Sequence, residues 1–483
     1  MSASGAVVES GVRLDVRLYV DGNWRKGGEG WEPVIDPRSA EAVARVALAS
    51  AEDVDAAIDA AADSFPAWAA LSAAARGDLL IDSAALLAAR ADEVAATLAG
   101  ESGKTSGEAS AEVQRAVETL AWNGAEASRV EGRLFDSRVV TGRRLSLPTP
   151  LGVVAAFTPW NFPAVLTARK LGAALAAGCT VVLKGSEATP ATAAAVVATL
   201  VDAGVPAGVV NLLFGDPAAV SKRMICAPAV RAVTFTGSTS VGRIVAGHAA
   251  SGLKRTVLEL GGHAPVIVAG DADVDYVIAT TLPAKFGSAG QSCVAPSRYF
   301  VESSLYEEFV AKFTEAVRRL EPGVDVGPLI NPGRVAAMKR LTDDAVRRGA
   351  KVTCGGSAPD LAGYFWAPTI LRDVPDAAEI MSEEPFGPVA CVAAFDDLDD
   401  AIARANSTPY AFAAYLFTDR GSTVERVLAG LEASNVGINQ MAPSLPDVPL
   451  GGMAASGLGY EGGRDGIRAF LHDRLVSQSY PSA

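Results

Sequence analysis

Leu258-Glu259-Leu260-Gly261-Gly262 and, farther along, Gly290-Gln291-Ser292-Cys293 each set one reactive side chain among glycines and small or apolar neighbours. A carboxylate between leucines carries a desolvation cost that it relieves by raising its pKa, which suits a general base. A cysteine beside Gly, Gln and Ser has room for a substrate to approach, where a packing thiol would need apolar neighbours. A base and a thiolate are the two reagents that make a thioester and then hydrolyse it.

Three further segments hold chemistry that could serve such a pair. In Thr158-Pro159-Trp160-Asn161-Phe162-Pro163 the Asn161 amide can face an oxyanion, and helical spacing from it puts Phe162, Val165, Leu166 and Arg169 on one face. Arg169 either reaches along that face into a site or snorkels to water. Thr236-Gly237-Ser238 ends a strand and caps the next helix, a place suited to a pyrophosphate and equally to a plain capped helix. Lys184-Gly185-Ser186-Glu187 also follows a strand. There Lys184 can donate to ribose hydroxyls, and Glu187 can accept from them and repel a 2′-phosphate. Taken alone, the two also read as a solvated charge pair.

Two glycine patterns are set aside. Gly457 to Gly462 matches G-x-G-x-x-G, but too little chain follows it for a βαβ unit and a downstream acid. Gly237 to Gly242 begins like a phosphate loop, yet Arg243 stands where lysine is required.

The elements that must position these residues form an alternating series. Strand-like runs at Val153–Phe157, Thr180–Leu183, Val209–Phe214 and Ala232–Phe235 alternate with helical ones at Pro163–Ala176, Ala191–Asp202, Pro217–Cys226 and Thr239–Ala250. The strands are continuous in Val, Leu and Ala, as expected of a parallel sheet covered on both faces, so the class is α/β with a doubly wound sheet. Ala51 to Gln114 reads as long amphipathic helices that could cover the sheet. A second α/β unit runs from about Pro265 to Pro449, with strands at Pro265–Val268, Tyr299–Val301 and Val389–Ala394. Gly132–Leu147 alternates polar and apolar residues and could form an arm toward a subunit partner, paired with the tail Arg474–Tyr480.

Composition narrows the function classes. The 483 residues call for two or three domains, and a net charge of −13 without a basic run argues against nucleic acid or an anionic membrane as partner. Ala191 to Phe214 is interrupted by Asp202 and Pro206, so it reads as buried core and not as a membrane span. Met1 to Glu9 lacks the pattern of a secretory signal, and Cys179, Cys226, Cys293, Cys354 and Cys391 show no pairing pattern, which fits a cytoplasmic protein. Cys179 and Cys391 read as core residues. His248, His263 and His472 make no ligand cluster, so no protein-bound metal is expected.

Together these residues resemble the aldehyde dehydrogenase superfamily from about Tyr19 to Ser477, in look nearest its succinate-semialdehyde dehydrogenase-like branch. The resemblance implies Cys293 as nucleophile, Glu259 as general base, Asn161 with the Cys293 N–H as oxyanion donors, and Lys170 in proton relay. It implies an NAD cofactor, with NADP the less favoured alternative because of Glu187. Lys184 and Glu187 would hold the adenine ribose, Gly237 and Ser238 the pyrophosphate, and Glu384 with Phe386 the nicotinamide ribose. Thr158, Trp160, Gly215, Val241 and Leu260 complete the implied cofactor contacts. Phe162, Leu166, Arg169 and Ser292 would line the substrate site.

The implied domains are a cofactor domain (1–127 and 148–257), a catalytic domain (258–455) and bridging segments (128–147 and 456–483) that make a homodimer or homotetramer. The implied reaction takes an aldehyde through a thiohemiacetal and a thioester to the acid, with a carboxylate-bearing semialdehyde favoured through Arg169. Small hydroxyaldehydes or a broad aldehyde range are the alternative, and a non-redox cysteine hydrolase or a silent relative more distant ones. The chain departs from the family at Gly185, Pro217, Ala454 and Ser288. It also has Gly287 where many of the semialdehyde enzymes carry a second arginine.

Overall fold

Five parallel strands form the centre of the first sheet: Val153–Phe157, Thr180–Lys184, Val210–Leu213, Val230–Thr236 and Arg255–Glu259. The computed structural model describes residues 6–8, 14–136, 142–441 and 444–479. In space the fifth strand lies beside the fourth, the fourth beside the first, the first beside the second, and the second beside the third. The order therefore reverses between Val153–Phe157 and Val230–Thr236, and a crevice opens beyond their carboxyl ends. Leu18–Val20 and Asn23–Arg25 extend one edge of this sheet, and Gly457–Leu458 pairs antiparallel with Arg255–Glu259 at the other.

The sheet lies between helices. Before it in the chain come α1 (Ala51–Ala70), α2 (Ala73–Ala89), α3 (Ala91–Ser102) and α4 (Ser106–Ala127). The crossovers are α5 (Pro163–Ala176), α6 (Pro190–Asp202), α7 (Pro217–Cys226) and α8 (Thr239–Ser251). The bounds match the expected pattern to within two residues, apart from α4, which runs on to Ala127.

Local capping explains some helix starts. Ser50 with Asp53 and Thr105 with Glu108 form capping boxes on α1 and α4. It fails for α5 and α6, which begin with Pro163 and Pro190 and have no cap of their own. Their free amides are met from other helices. Glu112 of α4 accepts from Ala164 N at 2.9 Å, and Glu101 of α3 from Ala191 N at 2.7 Å and Thr192 N at 3.0 Å. Such buried carboxylates satisfy donors that would otherwise be orphaned.

The second sheet has seven strands in the spatial order Lys351–Cys354, Thr369–Arg372, Val389–Phe395, Arg298–Glu302, Pro265–Val268, Ala413–Phe417 and Asn435–Ile438. All neighbours are parallel except the first pair. Helix α9 (Val274–Phe286) leads toward Cys293.

The tail Leu471–Ser479 pairs along its length with Gly142–Pro150, which also pairs with Arg133–Phe135. Residues 137–141 of the expected arm, Tyr480 of the tail, and most of Met1–Glu9 lie outside the described residues. A four-stranded sheet of Ala6–Val8, Leu14–Val16, Glu41–Ala47 and Trp31–Asp36 has no counterpart in the sequence reading. Arg255–Glu259 runs across the expected boundary at residue 258, so Glu259 is the last residue of a first-sheet strand.

Candidate active site

A cavity of about 1160 Å³ lies between the sheets, larger than most small-ligand pockets. Thirteen of the expected site residues line it: Trp160, Asn161, Phe162, Leu166, Arg169, Gly237, Ser238, Glu259, Leu260, Ser292, Cys293, Glu384 and Phe386. The first sheet brings its share at strand ends, on the turns that follow them and on the first turns of α5; the second sheet brings Cys293 and Glu384 on loops that precede strands.

Cys293 Sγ lies 3.4 Å from Glu259 Oε1, in line for the thiol to donate to the carboxylate. Burial raises the pKa of Glu259, and the nearby charge of Glu461 raises it further. Burial likewise pushes the Cys293 thiol well up, with Glu259 and Glu384 adding to the effect. The resting sulfur is thus a thiol, set against a carboxyl group that holds a proton more readily than usual. Thr236 Oγ1 donates to the other oxygen of Glu259 at 3.1 Å, which fixes the carboxylate plane.

Asn161 is buried and its Nδ2 donates to the Gln291 carbonyl at 3.1 Å, which leaves its second amide hydrogen uncommitted. The Cys293 N–H has no acceptor among the described residues. Both residues line the cavity that holds the sulfur, and each has a donor to spare.

The chain just before Cys293 is strained. Ser288 and Ala289 have φ of 51° and 53° and Gly290 of 71°, a left-handed turn that only glycine adopts freely. A Cβ on Gly290 would stand 2.3 Å from the Gly387 carbonyl oxygen. Glu108 of α4 holds the turn by accepting from Ser288 N at 2.6 Å. Gln291 anchors its far side, with Nε2 donating to the Ser288 carbonyl at 3.0 Å and Oε1 accepting from Ile330 N at 3.0 Å.

Arg169 does not snorkel. It is 3 % exposed, its guanidinium donates to Ser444 Oγ, and its Nε has no partner among the described residues. Lys170, the next residue, points away from the cavity and binds Glu461 and, at 3.1 Å, Thr234 Oγ1. Burial works against the Glu461 carboxylate, but the charges of Lys170 and Arg169 overcome it and hold its pKa below the ordinary value.

A dinucleotide fits the remaining surface. Ser238 caps α8, and the amides of Thr239 and Ser240 in its open first turn have no intrahelical acceptor. Gly237 cannot carry a side chain, since a Cβ would lie 2.5 Å from the Phe235 ring. Glu384 Oε1 accepts from Gly262 N at 3.0 Å, and its carboxyl is pushed up to about 7 by burial. Trp160 and Phe386 meet edge to face at 5.6 Å beside it.

Thr158, Lys184, Glu187 and Gly215 lie off the cavity but form one corner. Lys184 Nζ donates to Glu187 Oε1 at 2.6 Å, Gly215 N to the same oxygen at 2.8 Å, and Thr158 N to the Lys184 carbonyl at 3.1 Å. Val241 is exposed in the first turn of α8. A Cβ on Gly185 would sit 2.6 Å from the Phe214 ring, which accounts for glycine at that departure.

The sequence reading missed several residues. Glu461 lies inside the Gly457–Gly462 pattern set aside above. Glu108 was visible as the end of the Thr105-Ser-Gly-Glu capping box, but its second contact was not. Nothing local marked Lys104, Glu112, Arg115, Arg334 or Ser444. Arg334 lines the cavity and donates to the Pro385 carbonyl, fastening the loop that carries Glu384 and Phe386.

The aldehyde dehydrogenase family matches residues 24–476 of this chain. A 4-(hydroxymethyl)benzenesulfonate dehydrogenase from Comamonas testosteroni is 44% identical, over 95% of this chain and 97% of its own length. The NADP(+) succinate-semialdehyde dehydrogenase of Escherichia coli K12 is 40% identical, over 95% and 97%. The crystal structure of an NADP-dependent enzyme from E. coli superposes with a TM-score of 0.95 at 39% identity, over 97% of this chain and 98% of that one. The chain belongs to the aldehyde dehydrogenase family, whose members use NAD(P), and is an oxidoreductase acting on aldehydes.

Proposed function

We propose that this aldehyde dehydrogenase oxidises a semialdehyde bearing a carboxylate at its far end to the acid, with NAD+, through a thioester on Cys293. The observation that carries the substrate reading is Arg169, a buried cation in the same cavity as Cys293 whose Nε has no partner among the described residues. A buried guanidinium that forms no direct ion pair among the described residues is matched to an anionic ligand group. The names of both relatives support it, since each denotes a compound with an anion remote from the reacting carbon.

In this reading the Cys293 thiol gives its proton to Glu259 and the sulfur adds to the aldehyde carbon. The carbonyl oxygen, now an oxyanion, takes hydrogen bonds from Asn161 Nδ2 and the Cys293 N–H. Bound NAD+ supplies the hydride acceptor for the oxidation. Glu259, returned to its carboxylate form, then takes a proton from water as the water oxygen attacks the thioester carbon. The thiolate leaves, and the acid is released. Lys170, whose charge acts on Glu259 and which pairs with Glu461 and Thr234, would relay its proton.

Trp160, Gly237, Ser238, Leu260, Glu384 and Phe386 would hold the cofactor beside the cavity, with Thr158, Lys184, Glu187, Gly215 and Val241 at its adenosine end. Glu187 supports NAD, because a 2′-phosphate there would meet a carboxylate. Phe162, Leu166 and Ser292 would shape the substrate channel. A second substrate, an aldehyde bearing a sulfonate, is favoured by Arg115, an exposed cation at the cavity wall, and by the 44% identical relative.

A panel of anionic and neutral aldehydes, assayed at 340 nm with NAD+ and NADP+ in parallel, tests the reading. The expected result is the highest kcat/KM for a semialdehyde with NAD+. Equal use of neutral aldehydes would remove the carboxylate, and a preference for NADP+ would remove the role of Glu187.

A further inference from the structure

Lys104 and Glu112 form an ion pair with side chains 2% and 0% exposed, beside the oxyanion donor and unused by the steps above. A pair at this depth loses much of its Coulombic gain to desolvation, so net stability is weak grounds for its presence. Its hydrogen bonds are more informative. Lys104 Nζ donates to Glu112 and, at 2.6 Å, to the backbone carbonyl of Asn161. It also stands 3.9 Å from the centre of the Phe162 ring. Glu112 reaches past it to accept from Ala164 N at 2.9 Å. The turn that carries Asn161 is thus gripped at the carbonyl of that residue and again at Ala164 by charged groups from the α4 region, while the Asn161 side chain is tied to the Gln291 carbonyl.

We infer that Lys104, anchored by Glu112, is a positioning residue that aims the Asn161 amide at the oxyanion. The inference rests on the proposed role of Asn161. Its physical content is that an amide held at one end only would rotate about the strand-to-helix turn. The Lys104 ammonium removes that freedom before substrate arrives, and misplacement by about an ångström at such a site costs on the order of a hundredfold in rate. The ammonium acts on the carbonyl of Asn161 and not on the reacting atoms, so its whole effect passes through Asn161.

A double-mutant cycle tests this on the full-length enzyme. Two readouts apply: the rate of the NADH burst, and the aldehyde concentration that protects Cys293 from iodoacetamide without cofactor. Lys104→Met is expected to slow the burst and weaken protection by roughly tenfold or more. In an Asn161→Ala background the same change should alter either readout by less than about twofold, because coupled residues are non-additive. The charge-balanced Lys104→Met/Glu112→Gln protein guards against misfolding caused by a stranded Glu112 and should show the same dependence on Asn161.

An equal loss in the presence and absence of Asn161, or an unchanged burst in a folded Lys104 variant, would overturn the inference. If wild type makes no NADH with any aldehyde, the proposed reaction fails. If Asn161→Ala alone leaves the burst unchanged, the oxyanion assignment fails and takes this inference with it.

Discussion

The two parallel sheets serve the cavity from opposite ends. The first offers the carboxyl ends of its strands: Glu259 as a last strand residue, then the turns bearing Asn161 and Gly237. The second offers its amino ends, with Cys293 just before Arg298–Glu302 and Glu384 just before Val389–Phe395. The general rule that α/β sheets bind ligands at carboxyl ends describes only the first. At that edge the turns bearing Asn161 and Gly237 open into helices, and at the second of them free amides and the capping hydroxyl of Ser238 come with the chain. At the opposite edge the chain must deliver a side chain while turning into a strand, and it does so through the left-handed run Ser288–Gly290. Glu108, from the helical layer of the first sheet, holds that run in place.

If this division is right, the two edges differ in which step fails when they are altered. Removing the second sheet's nucleophile has the largest effect: Cys293→Ala should lower NADH formation by roughly a thousandfold or more. A kcat close to wild type would end the thioester mechanism.

Glu259→Gln, at the first edge, should leave a burst of NADH, slowed because the Cys293 thiol has lost its proton acceptor. It should slow steady turnover further, by about 10²–10⁴-fold, checked by stopped flow. Unchanged steady turnover would take hydrolysis away from Glu259. The pH dependence follows from the same group. Burial raises its pKa above the ordinary 4.5, and only the carboxylate can act as base. Steady turnover should therefore fall with acidification at a pH clearly above 4.5, and Glu259→Gln should lose that acid limb.

Arg169→Ala should raise KM for anionic aldehydes by roughly tenfold beyond any change for neutral ones, given ~1.5–3 kcal/mol for a charged hydrogen bond. Parallel changes would place the substrate anion elsewhere. The smallest effects belong to cofactor contacts. Glu187→Gln should narrow the preference for NAD+ over NADP+ a few-fold, read from the ratio of kcat/KM values. Glu384 should make NAD+ affinity rise as pH increases through about 7, because the carboxylate accepts from a ribose hydroxyl better than the acid does. A flat binding titration across that range would remove Glu384 from the ribose.

Most of the first edge was legible before any coordinates. Continuous Val/Leu/Ala strands alternating with helices fix the chain order, and Ser238 after Thr236-Gly237 marks a capped helix start because both signals are local. Cys293 and Glu259 stood out because their neighbours suit chemistry better than packing. The starts of α5 and α6 did not follow local rules, since their caps are Glu112 and Glu101 from distant helices. Glu461 hid inside a pattern correctly rejected as a dinucleotide fingerprint, because its partner Lys170 is 291 residues away.

The sequence by itself determined the reagents and the order of elements: side-chain chemistry and hydrophobic periodicity are properties of short segments. Tertiary structure alone decided how those reagents are held. It set Cys293 3.4 Å from Glu259, buried Arg169, and put Lys104 on the Asn161 carbonyl. The reason is that burial and charge coupling depend on which surfaces meet. A lysine beside a capping threonine reads as solvated until a second layer of the fold removes its water and gives it Glu112 and Asn161 as partners.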